Sequence, residues 1–274
     1  EKIIDFRNYD NEGRWYIFLD EAHKGSKEDS KRQHIYSILS RNGFLFNFSA
    51  TFTDIRDIVT TAYEFNLSSF IREGYGKHIS VLKQEMRAFA DEEDYNDDEK
   101  QKIVLKSLIL LTYIKKHYEK IKDTKLYHNP MLITLVNSVN DEDADLKLFF
   151  REIEKIAKGE VDEAIFEQAK DELYDEFKNR LEFMFEPNFY LEIDNVTFMD
   201  IELEDILKYV YNADSPGNIE VSYRPSDRKQ IAFKLATCEK HFALFKTGDI
   251  PNWLKNELDR FEVNHQFEEE GFFE

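Results

Sequence analysis

Asp20-Glu21-Ala22-His23 closes the apolar run Trp15-Tyr16-Ile17-Phe18-Leu19. Adjacent carboxylates at the carboxyl end of a buried strand sit where α/β proteins place ligands, in the crevice beyond the strand ends. An aspartate there can hold Mg²⁺, directly or through water, and a neighbouring glutamate can polarise an attacking water. The same acids also fit a plain strand followed by the charged start of a helix. A second group, Ser49-Ala50-Thr51, follows the apolar run Phe44-Leu45-Phe46-Asn47-Phe48, with Ser49 29 positions after Asp20. Two strand ends on one sheet edge would bring these hydroxyls near His23.

The elements that must position these residues are legible around them. The two apolar runs predict buried strands, and residues 30–39, with Ile35, Ile38 and Leu39 at helical spacing, predict a short helix between them. Strand, helix, strand in this order is a βαβ unit, which favours a parallel sheet and an α/β fold. Beyond residue 79 the pattern turns helical. Ile103, Leu105, Leu108, Ile109, Leu111 and Tyr113 precede the basic stretch Lys115-Lys116-His117, and residues 91–99 hold seven acids, the composition of an exposed loop. Asn129-Pro130 punctuates the chain, and residues 131–136 predict an apolar strand. Helices are expected over residues 141–157, ended by Gly159, over 161–185 and over 200–211. The turn Asp214-Ser215-Pro216-Gly217 then introduces strand-like runs at 219–223, 231–235 and 242–245.

Composition narrows the classes. Hydrophobic residues at 42% and aromatics at 15% suffice for a packed core, while nine Gly and five Pro in 274 residues imply few special turns and much helix. With 37 basic against 56 acidic residues the net charge is −19, which argues against nucleic-acid binding through a broad basic field and leaves a local groove open. One cysteine, Cys238, excludes a disulfide framework and a multi-cysteine zinc site and suits a reducing, cytoplasmic setting. The first residues lack an export-signal pattern, and the longest apolar stretch, near Leu108 to Leu111, is far short of the roughly 20 residues of a membrane span.

Taken together, Phe18-Leu19-Asp20-Glu21-Ala22-His23 resembles motif II, the Walker B sequence, of the superfamily 2 DEAD/DEAH-box helicases and translocases, and Phe48-Ser49-Ala50-Thr51 resembles their motif III. Within that superfamily the nearest resemblance is to the helicase-like motor (Res) subunits of type III restriction enzymes. Phe65-Asn66-Leu67 through Gly74-Tyr75-Gly76-Lys77 adds to it. So does Leu132 through Asn140, which is similar to the strand and motif IV region opening the second lobe, and so does Phe245 through Ile250. The resemblance implies RecA-like parallel-sheet lobes of the P-loop NTPase helicase type, both incomplete. Residues 1–84 would be the back of the first lobe, 85–126 a helical connector, and 127–274 the front of the second lobe with a helical insert. It further implies an ATP hydrolase with Mg²⁺ and ATP as cofactors, DNA as partner and a methyltransferase (modification) subunit beside it. Carried over by position, Asp20 would organise Mg²⁺ and bind nucleotide, and Glu21 would be the base that positions the hydrolytic water. His23 would couple the nucleotide site to Ser49 and Thr51, and Asn137 and Ser138 would contact the nucleic-acid backbone.

Two parts of such a motor are absent from the sequence. A phosphate cradle needs a Gly-rich loop, a lysine and a hydroxyl; at Gly76-Lys77 the next residue is His78, and Ile71 stands where the first glycine should be. An arginine-finger motif is also missing, since Gly13-Arg14 lies upstream of the acids and lacks the flanking residues. The expectation is therefore an internal fragment, inactive alone. A nuclease site is not expected, because neither Glu192 to Asp194 nor Glu239-Lys240 has the spacing of a metal-dependent nuclease motif. The alternative from another class is a non-catalytic, helicase-like scaffold for protein–protein contact.

Overall fold

The computed structural model describes residues 9–22, 31–52, 55–82, 97–135, 145–178, 181–224, 227–246 and 263–264. The chain forms two units, Glu1–Ile79 and Ser80–Glu274, each with its own packing. Both strands and helices are present, so the chain is mixed α/β.

In the first unit, strand β1 (Tyr16–Leu19), helix α1 (Lys31–Leu39) and strand β2 (Phe44–Asn47) form the expected βαβ unit. The strands are parallel, with Tyr16 opposite Phe44 and Leu19 opposite Asn47. A short 3₁₀ turn at Asn11–Gly13 leads in, and the Trp15 N–H donates to the Leu39 carbonyl, which fixes the end of α1 against the start of β1. Gly43 sits where the strands converge: a Cβ there would lie 2.1 Å from the Trp15 carbonyl oxygen, the acceptor for the Phe44 N–H. No side chain fits without separating the strands. The runs were expected to be buried strands, and parallel strands are usually covered on both faces. Instead only alternate residues turn inward. Leu19 is buried, while Tyr16, Phe18, Phe44, Phe46 and Phe48 lie on an exposed face, Phe18 stacked on Phe46 at 4.9 Å. An apolar run cannot tell which of its two faces will be covered, and here the aromatic face is open among the described residues. Helices α2 (Ile55–Val59) and α3 (Leu67–Arg72) follow; the Asn66 side chain accepts from the Ser69 N–H and caps α3.

The second unit is built around α4 (Asp97–Glu119). Acids at its start and Lys116 and His117 in its last turn oppose the helix dipole, a favourable arrangement. Thus residues 97–99, expected in a loop, begin this helix, and the segment expected as a connector is the centre of a core. Leu105, Leu108 and Ile109 are fully buried. They pack with α5 (Asp145–Ala157), α6 (Glu163–Lys178), α7 (Asn195–Met199) and α8 (Leu203–Tyr209) in one apolar cluster. Gly159 ends α5 with φ +77°, and the Gly217 N–H of the predicted turn donates to the Ala157 carbonyl, satisfying a helix-end acceptor. α6 stops at Lys178 rather than 185. The segment beyond makes an antiparallel bridge between Glu182 and Tyr190, with Phe185 and Asn188 at positive φ around Pro187, a residue that drives its predecessor out of helix.

Strands β3 (Ile219–Arg224), β4 (Asp227–Leu235) and β5 (His241–Lys246) stand where expected and form an antiparallel meander, with β6 (Val263–Asn264) parallel to β3 in the order β5-β4-β3-β6. The sheet of this unit is therefore mostly antiparallel, and among the described residues the purely parallel sheet is that of the first unit. α5 lies on the meander: the Phe150 ring is 4.7 Å from Phe233 and 5.5 Å from Phe245, and the Tyr211 hydroxyl donates to the Ile153 carbonyl at 2.8 Å. The strand expected over residues 131–136 does not form over 131–135, which belong to no sheet. Strand propensity without a ladder partner is not sufficient.

Charged side chains tie α4 to its neighbours. Glu172 of α6 takes both Lys102, at 2.7 Å, and Lys106, which is almost wholly buried; Asp205 of α8 takes Lys116 at 2.9 Å. Burial pushes the Glu172 carboxyl up, but the two lysines outweigh it and hold it below its ordinary value of 4.5. The stabilisation is complete above that value and is lost as pH falls through the lower folded value. Because over a third of the side chain meets solvent, its worth is on the order of 1 kcal/mol. Glu172→Gln is expected to lower the unfolding free energy of this unit, measured by urea titration at pH 7, by about that amount, with the gap to the unsubstituted protein narrowing as the carboxyl is protonated in acid. A gap that persists undiminished once the carboxyl is protonated would show that packing, not charge, is responsible.

No helix among the described residues is long and apolar enough to cross a membrane.

Candidate functional site

The carboxyl ends of β1 and β2 are joined beyond the strands themselves. The Phe48 N–H donates to the Leu19 carbonyl at 2.9 Å, and the chain then curls so that the Ala22 N–H donates to the Phe48 carbonyl at 3.0 Å. Asp20 and Glu21 form the turn between those two bonds. Ala22 is buried beneath it, and both acids are exposed. The Asp20 Oδ1 accepts from the Glu21 N–H at 2.9 Å, and Glu21 takes φ +53°, a left-handed conformation that costs a non-glycine residue on the order of 1 kcal/mol. On the facing strand, Ser49 is half-buried, and its Oγ accepts from the Thr51 N–H at 3.0 Å.

Parallel pairing thus brings Asp20, Glu21, Ser49 and Thr51 to one end of one sheet. His23, Asn137 and Ser138 lie outside the described residues. Among the described residues no group of three or more histidine, cysteine, aspartate or glutamate side chains could hold a metal ion. A single carboxylate can serve only a cation that brings most of its own ligands. Mg²⁺ keeps most of its water and takes one or two carboxylates together with substrate phosphates. Asp20, with one oxygen engaged by the turn, could offer its other oxygen to such an ion; among the described residues there is no all-protein cage.

The glycines of Gly74-Tyr75-Gly76 do different work from a phosphate loop. They follow the carboxyl end of α3, where the Tyr75 and Gly76 N–H groups both donate to the Phe70 carbonyl, and Gly74 has φ +81°. A phosphate cradle presents free N–H groups at a helix amino end, so the polarity here is reversed. A Cβ on Gly76 would meet Ile71 Cγ1 at 2.8 Å, and packing against the helix explains the glycine.

The acids weighed for a nuclease do not converge. Asp194 caps α7, its carboxylate accepting from the Thr197 hydroxyl at 2.6 Å and from the Thr197 N–H; these bonds hold it below the usual carboxylate range. Glu239 is 99% exposed and reaches Lys234 only at 3.6 Å. One polar cluster had no sequence signal beyond the helical spacing of Tyr113 and His117. The Tyr113 hydroxyl accepts from the Asp194 N–H at 2.7 Å, and its ring lies 4.5 Å from that of His117. Burial and then Lys120 hold His117 below its ordinary value against the opposing pull of Asp194. The cluster joins α4 to the cap of α7; two cavities among the described residues, one lined by Arg151, Glu154 and Lys158 and one by Val81, Phe183 and Phe185, are lined by other residues.

No protein-family model, no curated protein and no solved structure matches the chain. The class defined by the coordinates is a mixed α/β chain with a parallel βαβ unit that carries an acidic turn at its strand ends.

Proposed function

We propose that the chain supplies part of an ATP-driven DNA motor, a helicase or translocase of the kind that serves type III-like restriction or related defence enzymes. The observation that carries this reading is the hydrogen-bonded pairing of the Asp20–Glu21 turn with the segment that bears Ser49 and Thr51. Parallel strands with ligand-binding groups at their carboxyl ends are the arrangement in which α/β proteins hold nucleotides. In this reading the first unit belongs to a RecA-like lobe. Asp20 would hold Mg²⁺ through a carboxylate oxygen, and Glu21, exposed at the tip of the turn, would accept a proton from the attacking water. Bound ATP would supply the phosphoryl group, and Mg²⁺ the positive charge that offsets the charge of the phosphates. Because Ala22 is bonded to Phe48, a shift of the acidic turn moves the neighbouring Ser49 and Thr51, which couples the two strand ends mechanically. The phosphate cradle and the arginine finger would come from other parts of the motor, DNA would be its track, and a methyltransferase its companion.

A second reading, a non-catalytic scaffold, is favoured by the helix-end role of Gly74 and Gly76 and by the open aromatic face of the βαβ unit. ATP hydrolysis separates the two. The product of the entire reading frame is expected to hydrolyse ATP with Mg²⁺ and faster with DNA, whereas residues 1–274 alone are expected to show no turnover. Absence of activity in the entire product, with no Gly-x-x-x-x-Gly-Lys-Ser/Thr anywhere in it, would establish the scaffold.

A further inference from the structure

Residues 181–191 follow α6 as a hairpin. The Leu191 N–H donates to the Leu181 carbonyl at 2.8 Å and the Phe183 N–H to the Phe189 carbonyl at 2.9 Å. Leu181 is buried and anchors the hairpin, whereas Met184, Phe185, Phe189 and Tyr190 are exposed, Phe189 at 65%. Phe185 and Phe189 stack on no other ring among the described residues. A hollow of about 320 Å³ beside the hairpin is lined by Val81, Glu182, Phe183, Met184, Phe185 and Pro187. Its wall is thus apolar and aromatic with a single charged group. That group is fixed in place: the Glu182 Oε1 accepts from the Asn188 N–H at 2.7 Å, and its second oxygen has no partner among the described residues.

Charge selects what such a wall can take. Residues 181–194 carry Glu182, Glu186, Glu192 and Asp194 and no basic side chain. Asp194 is engaged by Thr197 in the α7 cap, with Lys120 near it, and Glu192 is exposed with no partner among the described residues. Lys83 and Arg180 adjoin the hollow in sequence and lie outside the described residues. Nucleic-acid phosphates and anionic lipid headgroups would meet these carboxylates as repulsion. A cation on an apolar stem meets attraction at each point. Aromatic faces draw a guanidinium, a carboxylate takes its paired N–H groups, and apolar side chains cover its methylenes. The hollow is at the lower end of the roughly 300–1,000 Å³ of ligand sites. Because Met184 and Phe185 remain exposed beside it, a free small molecule would stay largely in water, whereas an arginine carried on a polypeptide adds contacts along the hairpin.

We infer that the hollow beside the 181–191 hairpin receives an arginine side chain from a basic segment of a partner protein. The inference uses the second unit alone and is independent of the motor reading. Fluorescence anisotropy of a labelled peptide of alternating arginine and serine, titrated with the 274-residue chain, should show saturable binding. Glu182→Gln, which keeps an acceptor for the Asn188 N–H, and Phe185→Leu should each weaken it at least about threefold, with circular dichroism unchanged. Glu163→Gln, the same loss of charge at an exposed site on α6, should leave it unaltered, and citrulline in place of arginine should abolish it. No saturable binding to the unsubstituted chain, whether or not Arg180→Ala uncovers it, would overturn the inference. So would equal weakening by Glu163→Gln, which would mark bulk attraction to an acidic protein, or binding of N-acetylarginine amide as tight as that of the peptide, which would mark a small-molecule site.

Discussion

Phe198→Ala is expected to destabilise the second unit by about 3–5 kcal/mol, the range for removing a fully buried phenylalanine. Phe198 is inaccessible to solvent, and its ring lies 5.5 Å from Tyr113 of α4 and 5.7 Å and 6.2 Å from Phe177 and Tyr174 of α6. It is carried on α7, a helix of five residues that is too short to persist by its own hydrogen bonds. The ring is thus the main attachment of α7 to the helices beneath it. Against a typical domain stability of about 5–15 kcal/mol, its loss removes a large share. Urea unfolding followed by circular dichroism should show the midpoint fall sharply, whereas Phe198→Leu, which keeps most of the volume, should cost under about 1.5 kcal/mol. Equal midpoints for the alanine variant and the unsubstituted chain would refute this account of the core.

In the complete motor, Glu21→Gln is expected to lower ATP turnover at least about 100-fold, the lower end of what a positioned general base contributes. The substitution keeps the size and the turn. Glu21 is exposed, and the bond from its N–H to Asp20 does not involve its side chain, so folding and nucleotide binding should be retained. Turnover should therefore fall with little change in nucleotide affinity, the pattern of a group that acts in the transition state. Asp20→Asn should instead raise the Mg²⁺ requirement. Steady-state hydrolysis unchanged by Glu21→Gln would count decisively against the proposed role.

The strands and helices that could be read from sequence are those whose apolar pattern is long or sharply bounded. Phe44 to Asn47 and Ile231 to Leu235 are apolar runs between polar breaks, and both became strands. Helix α7 escaped because Asn195 to Met199 is little more than one turn and shows no periodicity. α6 was read too long because Leu181 to Phe185 continues its apolar character, and the break depends on Pro187. Residues 131–135 show the opposite case: they are apolar enough for a strand, but pairing is a property of two segments and these have no ladder partner among the described residues. The shared end of β1 and β2 was legible because a βαβ connection forces successive strand ends to the same side, whereas the expected approach of Ser49 and Thr51 to His23 lies outside the described residues. The bonds that make it, from Phe48 to Leu19 and from Ala22 to Phe48, join backbone groups that a sequence does not mark.

Gly43 carries a consequence of a different kind. With the Trp15 carbonyl 2.1 Å from where a methyl group would begin, the position has no neutral neighbours in sequence space. Any side chain at this glycine must displace the backbone at the amino ends of β1 and β2, where the Phe44 N–H bonds to the Trp15 carbonyl, so the start of the strand pair is set by one residue that carries no chemistry of its own.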